Sequence, residues 1–209
     1  MKKRVALISI MVILALVPVS AGVNKISAGL SYAMASGTET ITFLGVTGES
    51  KSESGALEIK VHGTSFFSPK SNLGLSYKAS GAKTLSASID GVEYDPKDDP
   101  LMWKAGAFAA YQIPTSSAMF AELGVGAEFS SQSVTDSGVT LTVTEFSVAA
   151  YGEINYSFKT NNMFLNAGVS ISYPLGGTVS GSVGGVTLSG DISSTVLTIA
   201  PYVGFTFAY

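Results

Sequence analysis

Any chemistry in this chain of 209 residues would have to be built from one histidine, three lysines and five glutamates. They stand on the polar phase of stretches in which polarity alternates: Glu58, Lys60 and His62, then Lys78, Lys104, Glu122, Glu128, Glu145 and Glu153. A hydrolytic centre needs a histidine beside a nucleophile and an orienting acid. His62 is the only histidine, and its spacing identifies no such partner, so it reads as a structural side chain and the chain as a non-enzyme. A thiol nucleophile or cysteine metal site is excluded because the cysteine count is 0. Asp95-Pro96-Lys97-Asp98-Asp99-Pro100 gathers acids, but Lys97 and the two prolines depart from the spaced-oxygen pattern of dedicated calcium loops. It reads as a solvated turn, and no cofactor is implied. The mixed signs of the nine residues point to paired charges in an enclosed space, because unpaired buried charge is expensive. That space is either a polar plug or a narrow, slightly acidic channel that tolerates cations.

The elements that must carry these residues are strands. Alternation predicts about eight of them, near 24–35, 56–68, 71–80, 101–114, 117–132, 144–159, 162–175 and 194–209. Short turns rich in Pro, Asn and Ser follow at Ser68-Pro69-Lys70-Ser71, Pro114-Thr115-Ser116-Ser117 and Lys159-Thr160-Asn161-Asn162. The other connections, around 36–55, 81–100, 133–143 and 176–193, are long and rich in Gly, Ser, Thr and acids. Thr38–Gly48 belongs to the first of these as a loop or strand extension. Asp90-Gly91 marks a protruding hairpin, and Gly184-Gly185 lies within another. Short turns on one side and long loops on the other are the asymmetry of transmembrane β-barrels.

Separating the faces of each strand gives the same answer. Leu123, Val125 and Phe129 share one phase of their strand, with Glu122, Gly124, Gly126 and Glu128 on the other. Phe146, Val148, Ile154 and Tyr156 face away from Glu145, Tyr151 and Glu153. A charge facing lipid at mid-depth costs about 2–4 kcal/mol, which explains the segregation. Phe146 and Tyr156 are spaced to span roughly 25 Å of a tilted strand, the height of an apolar band with aromatic rims. A soluble barrel would instead show Gly106, Gly124, Gly126 and Gly168 to water, a poor surface. The fold class expected is all-β: an antiparallel, up-and-down transmembrane β-barrel of about eight strands.

Composition agrees. Mean hydropathy is +0.37 and only 13% of residues are charged, against about a quarter in ordinary soluble domains. Met1–Ala21 has a basic start (Lys2, Lys3, Arg4), an apolar run and the small-residue end Val19-Ser20-Ala21. This is the pattern of a cleavable signal peptide, leaving 22–209 as the barrel domain. Removing those three bases from 12 leaves 9 against 15 acids, a mature charge near −6. An acidic chain whose only arginine is Arg4 is no nucleic-acid binder.

The final strand carries a family resemblance. Leu197, Ile199, Pro201, Val203, Phe205, Phe207 and Tyr209 alternate with small or hydroxylated residues. The segment Val203, Phe205, Phe207, Tyr209 resembles the C-terminal assembly signal of bacterial outer-membrane barrels, with Tyr in place of the usual Phe. Over its mature length the chain resembles the small eight-stranded class, including the outer membrane protein W, X and opacity types. The resemblance implies an outer-membrane location in a diderm bacterium, contact with outer-membrane lipid, and delivery by the barrel-assembly machinery. It also implies a role that is structural or allows limited passage of small apolar or ionic solutes. Pro174 and Pro201, on neighbouring strands, mark a candidate lateral opening of the kind attributed to the W type. The competing reading is a surface adhesin or ligand-binding barrel acting through its long outer loops.

Overall fold

The computed structural model describes residues 24–43, 45–68, 70–114, 119–136, 139–160, 163–183 and 186–208. The expected signal peptide, Tyr209, Pro69, Thr115-Ser116-Ser117, Asn161-Asn162 and Gly184-Gly185 lie outside the described residues. The strands are β1 (Asn24–Phe43), β2 (Val46–Phe66), β3 (Leu73–Ile89), β4 (Val92–Tyr94), β5 (Met102–Pro114), β6 (Met119–Asp136), β7 (Val139–Thr160), β8 (Met163–Val183), β9 (Val186–Ser194) and β10 (Leu197–Ala208). All pairings are antiparallel, and β10 pairs with both β1 and β8, so the sheet closes on itself. β9 also bridges β8 and β1, further along the same wall position. The result is a ring of eight wall positions, with β4 as a short spur on β3.

The strands are longer than alternation alone predicts. β7 runs 22 residues and β1 runs 20, whereas a tilted strand crosses lipid in about 9–11. The surplus lies at the end away from the termini, in segments expected to be loops. Within Thr38–Gly48, expected as a loop or strand extension, residues 38–43 and 46–48 belong to a β1–β2 ladder that runs from Asn24↔Ser65 to Phe43↔Val46. Much of 81–100, 133–143 and 176–193 is likewise strand. Hydroxyl-rich sequence lacks the apolar phase that marks a lipid-facing strand, yet backbone pairing needs none. The Asp90-Gly91 hairpin is present, with φ values of 52° and 79°. Two positive φ values are the requirement of a turn that follows the natural twist of a hairpin.

The apolar phase faces outward throughout. Leu30, Leu123, Val125, Phe129, Phe146, Ile154, Val169, Ile171, Val203 and Phe205 are all exposed, and Trp103, Tyr111, Tyr156 and Tyr173 add aromatics to this face. The opposite phase is enclosed, and rings pack over glycines there. A Cβ on Gly124 would run into the Tyr151 ring, and one on Gly168 would meet Tyr202.

Beyond the apolar band the outward face of β7 and β8 turns from apolar to hydroxylated. On β7 the outward series Val148, Phe146 continues as Thr144 and Thr142. On β8 a bulge opposite Val148 and Ala149 shifts the register, so Gly176, Thr178, Ser180 and Ser182 take the outward positions. Inward, Val179 and Ile192 are buried above the charged interior.

Candidate functional site

His62, on β2, lies at the centre of the barrel between two carboxylates. Its Nε2 is 3.1 Å from Glu122 Oε1 on β6, and its Nδ1 is 3.6 Å from Glu153 Oε1 on β7. Both carboxylates are almost wholly buried. Each is saturated by neighbours. Tyr151 donates its hydroxyl to Glu122 Oε1 at 2.5 Å, and Thr64 donates to Glu122 Oε2 at 3.1 Å. Tyr202 and Asn155 donate to Glu153 Oε1 at 2.6 and 3.1 Å. Lys78 Nζ reaches Glu153 Oε2 at 3.3 Å, with Lys60 Nζ at 4.0 Å. The same ammonium groups lie over aromatic faces, Lys78 3.2 Å from the Tyr151 centroid and Lys60 3.6 Å from that of Tyr202. Phe108 packs edge-on against Tyr151 with centroids 4.9 Å apart.

Buried carboxylates are tolerated when cations and donors fill their lone pairs: Glu153 has both, and Glu122 is held by the Tyr151 and Thr64 hydroxyls and the His62 ring. The layer separates two unequal spaces. Above it is a cavity of about 80 Å³ lined by Glu58, Lys60, Lys78, Lys104, Glu128 and Ser172, among others. Below it is a void of about 20 Å³ lined by Lys25, Thr64, Glu122, Asn155 and Thr206, among others. The lower void has room for about one water. Glu58 accepts from Ser31 at 2.8 Å, and Lys104 lies in the field of Glu128, Glu58 and Glu145. Thus the fold brings His62, Glu122, Glu153, Lys60 and Lys78 into one network. It sets Glu58, Lys104, Glu128 and Glu145 apart from that network, towards the wider end.

Sequence reasoning did not single out Tyr151, Tyr202, Thr64, Ser76 and Asn155. Two of them carried a signal: Tyr151 and Tyr202 are large rings on the polar phase, facing Gly124 and Gly168. A large inward side chain opposite a glycine is a packing pair that alternation alone leaves unread.

Ser76 adds a chemical question, since its Oγ is 2.8 Å from His62 Nε2. Serine, histidine and Glu153 in sequence have the outline of a hydrolytic relay. Ser76 is fully buried, and the same Nε2 faces Glu122. A fully buried hydroxyl that shares its imidazole nitrogen with a second carboxylate is one more member of the bonded layer. Among the described residues no group of three or more acids and histidines is placed to hold a metal ion. In the turn after β4, the carbonyls of Pro96 and Lys97 accept from Lys83 Nζ at 3.1 and 2.9 Å, and that of Asp99 also accepts. The lysine therefore supplies the positive charge that this turn attracts.

The two prolines do not loosen one shared ladder. β8 and β10 pair without a break from Phe207↔Met163 to Thr198↔Ser172. Pro201 instead coincides with a gap on its other side, where the β1–β10 ladder stops at Ser31↔Tyr202 and resumes at Met34↔Ile199. Pro174 pairs with Ala149 of β7 beside the bulge. It also borders a wider interruption. Between Ser172↔Thr198 and Gly177↔Ile192 the last wall position has no ladder partner on β8 among the described residues. There Val196 turns its amide to Ser194 Oγ at 3.2 Å, and Thr195 holds on to Thr38 of β1.

No family model matches the sequence, and no curated protein matches it. Solved structures do. Neisserial surface protein A is similar at 16% identity over 90% of this chain and 99% of its own, with a TM-score of 0.51. The outer membrane protein OprG of Pseudomonas aeruginosa is similar at 13% identity over 91% of this chain and 97% of its own, with a TM-score of 0.54. A closed antiparallel ring of eight positions, apolar outside and charged within, matched end to end by these two proteins, gives this chain the fold of the small eight-stranded outer-membrane β-barrels.

Proposed function

We propose that the mature chain, freed of Met1–Ala21, is an outer-membrane barrel of a diderm bacterium that is closed to axial flow. The observation that carries this reading is the buried layer of Glu122, His62, Glu153, Tyr151 and Tyr202, with about 80 Å³ of space above it and about 20 Å³ below. Eight strands enclose little more than their own side chains. Here those side chains are mutually bonded, so moving one exposes a buried charge. The barrel rests in outer-membrane lipid, is inserted by the barrel-assembly machinery, and acts without catalysis. The test is single-channel recording of the refolded chain in planar bilayers, beside a variant with trimmed outer hairpins. The expected result is a folded, silent barrel in both forms; stable conductance steps from both would overturn the closed reading.

A second reading concerns limited passage of small solutes sideways. It is favoured by one observation: the interrupted wall beside Pro174 lies next to Ser172 and Thr198, which line the upper cavity. A small solute entering that cavity would leave between β8 and Val196 into the outer leaflet. Crosslinking cysteines introduced at Leu175 and Val196 should then abolish uptake of the solute while leaving the axial silence unchanged.

A further inference from the structure

The outward face above the apolar band has an unusual composition. Two ranks cross four strands in register. Ser131 of β6, Thr144 of β7, Ser180 of β8 and Ser189 of β9 form the first. Ser133, Thr142, Ser182 and Thr187 form the second. Each of the eight is hydroxylated, none is charged, and each is exposed or half-exposed. Ser133 and Thr142 share a hydrogen bond of 2.9 Å within their rank. Neighbouring backbone positions lie about 4.8 Å apart across strands and about 6.7 Å apart along one.

From this array we infer a contact surface for the sugar headgroups of outer-leaflet glycolipid. The inference rests on the outer-membrane placement above and goes beyond it. The first argument is continuity. Phe129 and Phe146 pair directly below Ser131 and Thr144, and they belong to the exposed apolar band. A glycolipid whose acyl chains lie on that band is covalently obliged to carry its sugars past these ranks. The second is chemical. A hydroxyl offers one donor and two acceptor sites, the same equipment as a sugar hydroxyl. The third is what the face lacks. Phosphate recognition relies on Lys and Arg, and neither occurs in the ranks; Lys51 on β2 is paired with Glu53 at 3.3 Å. The inward side is committed elsewhere, since Val179 and Ile192 are buried against the interior. The glycolipid's sugars, rather than its phosphates, are the part this face fits.

The test uses the full mature chain in nanodiscs holding equal amounts of lipopolysaccharide with its core sugars and the same lipid A stripped of them. Lipid retained on the purified barrel is counted by mass spectrometry. The wild type should retain the sugar-bearing form at least about fivefold over the stripped form. Combined substitution T142A, S180A, S182A and T187A should bring the ratio near one. Equal retention by the wild type, or an unchanged preference in the variant, would overturn the assignment. Insertion is read separately from the heat-modifiable mobility shift. Loss of preference with the shift intact is the expected signature, whereas loss of the shift in the wild type would sink the membrane placement itself. Should the fourfold variant fail to fold, the pair S180A and S189A, which leaves the second rank intact, should show a smaller drop; no drop would count against the surface.

Discussion

The ring of Tyr151 occupies the space that a side chain on Gly124 would need, and from there its hydroxyl reaches Glu122 at 2.5 Å. A glycine on β6 is thus the condition for a hydrogen bond to its own strand's carboxylate from β7. Backbone position, ring packing and charge satisfaction meet in one pair.

Gly124→Val should therefore act through Tyr151. The added side chain forces the ring aside, at the usual overpacking cost of about 1–3 kcal/mol, and weakens its bond to Glu122. The refolded barrel should unfold at lower urea concentration. Adding Tyr151→Ala to Gly124→Val should cost less than Tyr151→Ala alone in the wild type. Full additivity in the double-mutant cycle would show that the two residues are not coupled.

Glu153 answers two ammonium groups, the His62 ring and two neutral donors at once. Glu153→Gln leaves Lys60, Lys78 and His62 without their shared anion. Breaking a buried pair from one side costs on the order of 3–5 kcal/mol, so this should be the most damaging single change among the enclosed acids. Glu58→Gln, at a half-buried position bonded to Ser31, should be milder. Urea unfolding in detergent micelles ranks the two, and an inverted order would argue that the central layer is not what holds the barrel.

Lys104 and Lys97 differ in enclosure, not in charge. Lys104 lines the upper cavity, whereas Lys97 is exposed on the turn after β4. Lys104→Leu should lower the temperature of the heat-modifiable mobility shift, and Lys97→Leu should leave it in place. Equal tolerance would argue that Lys104 is not enclosed.

Lys83 offers a local readout. Its ammonium ties together the carbonyls of Pro96, Lys97 and Asp99. Lys83→Met should make the 95–101 connection cut faster under limited proteolysis while the mobility shift stays unchanged. Unaltered cleavage kinetics would mean that the turn is held by β4 pairing alone.

Pro201 has no amide hydrogen to give, and the β1–β10 ladder skips the positions opposite it and Ala200. Pro201→Ala should slow hydrogen exchange at the Tyr32 amide, opposite it, by extending the ladder there. Unchanged exchange would place the cause of the gap in strand curvature instead.

The alternation of Val203, Phe205 and Phe207 with small residues, and the segregation of Glu122 from Leu123, were enough to predict a barrel with its apolar face outward. The reason is local: residues two apart share a face, and lipid admits few charges, so each strand records its own two environments. The upper extensions were not legible in the same way. Thr142, Thr144, Ser180 and Ser182 also alternate, but with hydroxyls on the outward phase, and polar sequence rich in Gly and Ser reads as loop until a partner strand is present. Nor could spacing show that His62 would stand between Glu122 and Glu153, or that Tyr151 rather than Lys104 would complete the layer. Those contacts join β2, β6 and β7 and depend on strand register and on which glycine leaves room for which ring. Sequence determined the two faces of each strand; the closed ring decided which side chains meet inside it, because that choice belongs to pairing between distant segments and is written in none of them alone.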